Sequence, residues 1–104
     1  MAGLSVLEEF AATFHVCWIC GTRRGLEIHH IARGVNRKRG RTVRANLFRT
    51  CRRCHAAILD AMPTARQLAI KRHNDPAGYD RVAVNRLRSR TDGAITEEEV
   101  NRWQ

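Results

Sequence analysis

Residues 17–55 read CWICGTRRGLEIHHIARGVNRKRGRTVRANLFRTCRRCH, and their cysteines and histidines are the strongest structural signal in the chain. It begins with one Cys-x-x-Cys pair, Cys17 and Cys20, and ends with a second pair, Cys51 and Cys54, followed by histidine. Each pair offers two thiolates about one turn apart, which is half of a tetrahedral zinc shell. A redox dithiol would need only one pair, and two short disulfides would constrain little chain, so the pattern predicts a structural Zn²⁺.

The length of the chain, 104 residues, is that of one domain. We predict a single domain over residues 1–104, with a core over about residues 17–60 and a helical extension over about residues 64–104. A chain this short buries a modest core, and only 6% of its residues are aromatic. A metal cross-link would compensate for that small core.

The cellular location is predicted from what the sequence lacks. No apolar run approaches the roughly 20 residues of a membrane span, and the N-terminal region has Glu8 and Glu9 where a signal peptide has a basic cluster. We therefore expect a cytoplasmic protein with no membrane partner. In a reducing cytoplasm, paired cysteines hold metal more often than they form disulfides.

Apolar periodicity and turn signals predict an α+β chain. Ser5 with Glu8 forms a capping box for a helix over residues 5–14. Strands are expected at Leu26–Ile31 and Leu47–Thr50, on either side of a polar loop over Arg33–Arg44. Further helices are predicted over about residues 52–62, 64–72, 76–88 and 96–103, the third opening with Asp75 as N-cap before Pro76 and the last with a Thr96/Glu99 capping box.

Positive charge is concentrated near the middle of the chain. The net charge is +9, no carboxylate lies between Glu27 and Asp60, and nine Arg or Lys residues lie within residues 33–53. Such a segment attracts a phosphate backbone, although basic runs are also often simply solvated. We predict backbone contacts to double-stranded DNA, without sequence readout. The candidate DNA-binding residues are Arg33, Arg37, Lys38, Arg39, Arg41 and Arg44.

The same segment contains the groups that phosphodiester hydrolysis needs: His29, His30, Asn46 and His55. Histidine titrates near neutral pH and can activate water, a metal held by imidazoles can offset charge on the leaving oxygen, and an amide can orient the base. Adjacent strand residues point to opposite faces. Either the strand ends at the doublet, or one histidine turns to the metal while the other addresses water.

Three motifs together resemble the HNH endonuclease family, which has the ββα-metal fold: LEIHHI at Leu26–Ile31, Asn46-Leu47, and CRRCH at Cys51–His55. The resemblance covers about residues 17–60. It implies a zinc-stapled ββα-metal (HNH) core, here with an N-terminal helix and additional C-terminal helices. Its members join a two-stranded hairpin to a helix, and many have two Cys-x-x-Cys pairs around it.

The resemblance also implies roles for four residues. His30 would be the general base, and Asn46 would hold the loop that orients it. His29 and His55 would bind a catalytic divalent metal, one of Mg, Mn, Ni, Co or Zn. Many members have Asp where His29 stands, and two imidazoles favour the softer ions over Mg.

The C-terminal segment Ala94–Val100 is similar to the tails of small bacteriophage-encoded HNH proteins. That similarity implies a phage protein in the host cytoplasm, with a DNA packaging protein as a partner. The resulting expectation is an endonuclease that nicks or cuts DNA. Two alternatives remain: a zinc-ribbon module that binds DNA without catalysis, and a packaging adaptor that binds its partner through the C-terminal helices.

Overall fold

The computed structural model describes residues 3–33, 37–88 and 93–103, with Arg37 described in its backbone only. It confirms the α+β class, since a two-stranded antiparallel sheet lies among helices. In chain order the elements are α1 (Val6–Thr13), β1 (Leu26–His30), α2 (Arg37–Gly40), a 3₁₀ turn (Arg44–Asn46), β2 (Leu47–Cys51), α3 (Arg52–Ala57), a second 3₁₀ turn (Leu59–Ala61), α4 (Thr64–Asn74), α5 (Arg81–Arg88) and α6 (Glu97–Asn101).

The sheet is formed by β1 and β2, with Leu26 opposite Cys51 and His30 opposite Leu47. His29 lies opposite Phe48, and both side chains are buried. Because alternate residues of a strand face opposite sides, His30 is turned away from this pair and is only half-buried. The register thus separates the two adjacent histidines.

One hydrophobic core receives side chains from the sheet and from the C-terminal helices. Phe48 of β2 packs in it with Leu68 of α4, Val84 of α5 and Val100 of α6. The C-terminal extension therefore covers the sheet and the segment after it. In the described part of the chain, no helix has the length and apolar character needed to cross a membrane.

Aromatic rings attach α1 to this core. The Trp18 ring lies 5.7 Å from Phe10, 5.2 Å from Phe14 and 5.0 Å from Phe48, measured between ring centroids. Tilted and edge-on contacts at such distances are favourable beyond the area that they bury. This cluster connects α1 and the first cysteine turn to β2.

The helix boundaries agree with the predictions in part. Both capping boxes, Ser5 with Glu8 and Thr96 with Glu99, are confirmed. The helix predicted over residues 52–62 is shorter, because α3 gives way to the second 3₁₀ turn, where N–H groups bond three residues back. Residues 34–36 of the predicted Arg33–Arg44 loop lie outside the described residues, and the rest of that loop includes α2 and begins the first 3₁₀ turn.

The prediction of a helix from Pro76 was wrong. The helix α5 begins at Arg81, and its first turn is capped by Asp80, whose Oδ1 accepts from the N–H of Ala83 at 3.0 Å. Asp75 fits the N-cap pattern in sequence, but its carboxylate is buried and bound to cationic side chains. The ion pairs with Arg44 and Lys71 are stronger than an N-cap hydrogen bond, so they determine where the Asp75 side chain lies.

Candidate functional site

The four cysteines form one cluster, in which all the Sγ atoms lie within 4.8 Å of one another. Cys20 and Cys51 are 3.7 Å apart at Sγ, whereas a disulfide is about 2.05 Å long. Four sulfurs each about 2.3 Å from a shared Zn²⁺ would lie close to this spacing in a tetrahedron. The donor set and its geometry therefore fit a structural zinc ion.

The electrostatics of the cluster also fit a cation. Burial raises the pKa of the Cys17 thiol, but N–H donors of Cys20, Ile19 and Cys51 outweigh it and lower that pKa to about 6. Burial and the neighbouring sulfurs raise the pKa of Cys54 to about 12. Without a metal, the protein stabilises the thiolate of Cys17 but disfavours the ionisation of Cys54. The positive charge of a bound dication would stabilise both thiolates.

A second pair of ligand atoms lies between β1 and α3. His29 Nδ1 is 3.2 Å from His55 Nε2. The opposite nitrogen of each ring is already engaged: His29 Nε2 meets Gln67 Oε1 at 2.8 Å, and His55 Nδ1 meets Glu27 Oε1 at 2.9 Å. With hydrogens on these outer nitrogens, each inner nitrogen offers a lone pair toward the space between the rings, which is an arrangement that suits a cation.

The charge states near this pair agree with that arrangement. Burial lowers the pKa of His29 to about 4, so its ring is neutral at pH 7 and able to donate a lone pair. Hydrogen bonds from His55 and Arg52 lower the pKa of Glu27, which keeps its carboxylate ionised. A carboxylate that accepts from one nitrogen of an imidazole fixes the tautomer and the orientation of the ring.

His30 is oriented by the backbone of the loop that follows α2. Its Nε2 lies 3.1 Å from the carbonyl oxygen of Arg41. A carbonyl only accepts hydrogen bonds, so Nε2 has the hydrogen and Nδ1 is the basic nitrogen. His30 is half-buried, which leaves the ring accessible from the cleft.

Asn46 holds that loop from inside the protein. It is fully buried, and its Oδ1 accepts from the N–H of Ala32 at 2.6 Å. Its Nδ2 donates to the carbonyl oxygens of Ala32 and Gly40, each at 3.2 Å. Gly40 directly precedes Arg41, so Asn46 fixes the backbone whose next carbonyl meets His30. A Cβ on Gly40 would lie 2.7 Å from Asn46 Nδ2, which is why glycine fits there.

Although His29 and His30 leave β1 on opposite faces, both of them and His55 line one cleft of about 480 Å³. Its lining is made of imidazoles, cations and two small apolar groups: Ile28, His29, His30, Ala32, Arg33, Lys38, Arg41 and His55. The structure therefore brings together all the predicted metal-binding and base histidines, with three of the predicted DNA-binding residues beside them. A cleft lined in this way can bind an anionic phosphodiester next to a basic nitrogen and a cation site.

Of the remaining predicted DNA-binding residues, Arg39 and Arg44 lie outside the lining of this cleft, and Arg33 of the lining also has an acidic partner. Arg39 is exposed on α2, and the side chain of Arg37 lies outside the described part of the chain. Arg44 is bound through Nη2 to buried Asp75 at 2.7 Å, and Arg33 contacts exposed Asp60 at 3.0 Å. Arg44 thus has a structural partner that its place in a basic run does not indicate.

Sequence reasoning missed Glu27 and Gln67 as parts of the site. Glu27 had a usable signal, because it lies two residues before His29 in β1 and so shares a strand face with it. Gln67 had none, since it lies on α4, outside the motifs, and reaches His29 only through the packing of that helix.

Comparison of the chain with protein-family models, with curated proteins and with solved structures returned no match. The site's own geometry must therefore support any function assigned to it.

Proposed function

We propose that this chain is a metal-dependent DNA endonuclease of the HNH type, acting on the backbone of double-stranded DNA. The observation that best supports the proposal is the convergence of His29 Nδ1 and His55 Nε2 in a cleft that His30 also lines. A DNA-binding module without catalysis would need neither the paired lone pairs nor an oriented third imidazole.

In this proposal His30 is the general base. Its Nδ1 takes a proton from a water molecule as the water oxygen bonds to phosphorus and the bond to the 3′ oxygen breaks, leaving a 5′ phosphate. The Arg41 carbonyl keeps the ring in the tautomer with a basic Nδ1. Asn46 maintains the position of that carbonyl through Gly40.

His29 and His55 would hold the divalent cation, which supplies positive charge to offset the charge that develops on the leaving oxygen. Two imidazoles favour Mn, Co, Ni or Zn over Mg. Lys38, Arg41 and Arg33 line the same cleft and would hold neighbouring phosphates without reading sequence.

The test is relaxation of supercoiled plasmid with a panel of divalent ions, comparing wild type with His30→Ala. Loss of a general base costs about 10²–10⁴-fold in rate, so we expect His30→Ala to cut slower by that factor while keeping its zinc and its helicity. His15→Ala is the matched control, because His15 is exposed and does not line the cleft. A single site per chain should nick before it linearises.

Two results would contradict the proposal. Cleavage by His30→Ala at the wild-type rate would remove His30 as the base. Tight DNA binding by the wild type without cleavage under any ion, with zinc content verified, would favour the zinc-ribbon binding module instead. EDTA should stop cleavage at concentrations that leave the cysteine-bound zinc in place, as checked by elemental analysis.

A further inference from the structure

We infer that Gln67, on helix α4 of the C-terminal extension, is a positioning residue for the cation site, because it fixes the tautomer of His29. The inference depends on the metal site proposed above, but it does not depend on cleavage. Gln67 is buried and lies outside the hairpin and the helix α3 that make up the core of the proposed nuclease.

The orientation of the Gln67 amide is determined by its own chain segment. Its Nε2 donates to the carbonyl oxygens of Leu59 at 3.3 Å and Met62 at 2.9 Å. Both partners can only accept, so the amide nitrogen must face them and the amide oxygen must face the other way. A flipped amide would place its oxygen against two carbonyl oxygens and lose both hydrogen bonds.

The amide oxygen so placed lies 2.8 Å from His29 Nε2. Since this oxygen can only accept, Nε2 must have the hydrogen, and in a neutral ring Nδ1 is then the lone-pair nitrogen. That nitrogen is the one directed at His55 Nε2. Gln67 therefore decides which nitrogen of His29 is available to a cation.

Packing of the core holds the Gln67 side chain in this orientation. The neighbours of Gln67 on α4, Leu68 and Ala69, are buried in the main core. Leu59 and Met62 come from the turn just before α4 and are buried in the same core. The C-terminal extension thus completes the site by presenting a preoriented acceptor to a strand residue that is remote in sequence.

The tautomer can be measured by long-range ¹H–¹⁵N correlation spectra of the zinc-loaded full chain labelled at histidine nitrogens. We expect His29 of the wild type to have its hydrogen on Nε2. Gln67→Met keeps the bulk of the side chain but removes the acceptor, so the Nε2–H form should cease to dominate. Gln67→Glu retains an oxygen toward the ring and, when its other oxygen is protonated, can still donate to the Met62 carbonyl, so this variant should restore that form. Arg66→Met is the control, being exposed on the same helix.

Affinity gives the second readout, by calorimetric titration of the zinc-loaded protein with Co²⁺ alone. Loss of a partner behind a metal-binding histidine typically costs about 10–100-fold in affinity. We expect that loss for Gln67→Met, a smaller loss for Gln67→Glu and no change for Arg66→Met.

The inference is overturned if the wild-type spectrum places the His29 hydrogen on Nδ1. This result would not depend on the folding of any variant. The inference is also overturned if Gln67→Met keeps both the Nε2–H form and the wild-type Co²⁺ affinity; plasmid cleavage by the wild type would then still support the proposed function. Absence of Co²⁺ binding to the wild type would remove the metal site and the inference together. If the tautomer and the Co²⁺ affinity both change with Gln67 but the wild type does not cleave plasmid, the inference is upheld and the proposed nuclease function is contradicted.

Discussion

Asn46 uses its whole side chain to join two loops. Its amide makes three hydrogen bonds, all to backbone groups of Ala32 and Gly40, in a place without solvent access. A buried donor or acceptor that loses its partner costs about 1–3 kcal/mol. The same three bonds set the distance between the end of β1 and the loop that orients His30, so stability and site geometry depend on one residue.

We therefore predict that Asn46→Ala lowers the free energy of unfolding by about 2–4 kcal/mol, because it removes the side-chain acceptor of the buried Ala32 N–H and one donor from each of the Ala32 and Gly40 carbonyls. Urea denaturation of the zinc-loaded protein measures this change. Asn101→Ala is the control, since Asn101 is exposed on α6 and its loss should change stability by about 0.5 kcal/mol or less. Equal stability of the two variants would contradict the structural role given to Asn46.

At the scale of elements, a buried ion cluster ties α4 to the 3₁₀ turn before β2. Lys71 Nζ lies 2.8 Å from Asp75 Oδ2 and 2.8 Å from the carbonyl oxygen of Arg44. The Arg44 guanidinium donates to both oxygens of Asp75, from Nη2 to Oδ1 at 2.7 Å and from Nε to Oδ2 at 3.2 Å. Lys71 also lies over the rings of Phe10 and Trp18. A Cβ on Gly78 would lie 2.2 Å from Asp75 Oδ2, so the carboxylate occupies the space that a larger residue would need.

The pKa values of this cluster show which ion needs its partner more. Burial raises the pKa of Asp75, but Arg44 and Lys71 outweigh it and hold that pKa below its ordinary value of 3.8. Burial, to which the charge of Arg44 adds, lowers the pKa of Lys71 although Asp75 raises it, so the ammonium is disfavoured on balance despite its partner. Asp75 thus stabilises the fold above pH 3.8, and this contribution is lost as pH falls through its lower folded pKa.

Acid also protonates the thiolates that would hold zinc, so we place the test of this cluster at neutral pH. Asp75→Asn should lower the free energy of unfolding by about 3–5 kcal/mol, because it leaves a buried ammonium without its counter-charge. Adding Lys71→Met removes that ammonium and should recover part of the loss, as measured by urea denaturation with zinc bound. A double variant that is less stable than Asp75→Asn alone would contradict this account.

At the scale of the whole molecule, the cysteine cluster joins the turn before β1 to the junction of β2 and α3. We expect about one tightly held zinc per chain, and we expect its removal to abolish most of the helical signal in circular dichroism, because binding and folding are coupled in small metal-stapled domains. Adding zinc back should restore the signal. Full helicity after removal verified by elemental analysis would contradict the staple.

The distribution of charge over the molecule gives the last prediction. Each phosphate contact changes the slope of log K against log salt by about 0.9 for duplex DNA. Lys38→Gln should therefore reduce the slope by about that amount, since Lys38 is exposed and lines the cleft. Arg102→Gln removes the same charge near Trp103, away from the cleft, and should leave the slope unchanged. Fluorescence anisotropy of a labelled duplex measures both, and equal slopes for all three proteins would exclude a phosphate contact at Lys38.

Features that depend on near neighbours along the chain could be predicted from the amino-acid sequence alone. Two cysteine pairs at a fixed spacing predicted the cluster of four sulfurs, and the capping boxes at Ser5 and Thr96 predicted where two helices begin. The order of apolar segments predicted both strands. In each case the deciding interaction lies within one turn or one strand, or follows from the chemistry of the thiolate.

Packing in the folded chain, by contrast, sets the partners of the buried polar groups. It directs Asp75 to Arg44 and Lys71 instead of a helix N-terminus, and it places Gln67 behind His29. No local pattern indicates these contacts, because packing of the core fixes α4 against β1 and the first 3₁₀ turn, and each buried polar group must then find its partner there.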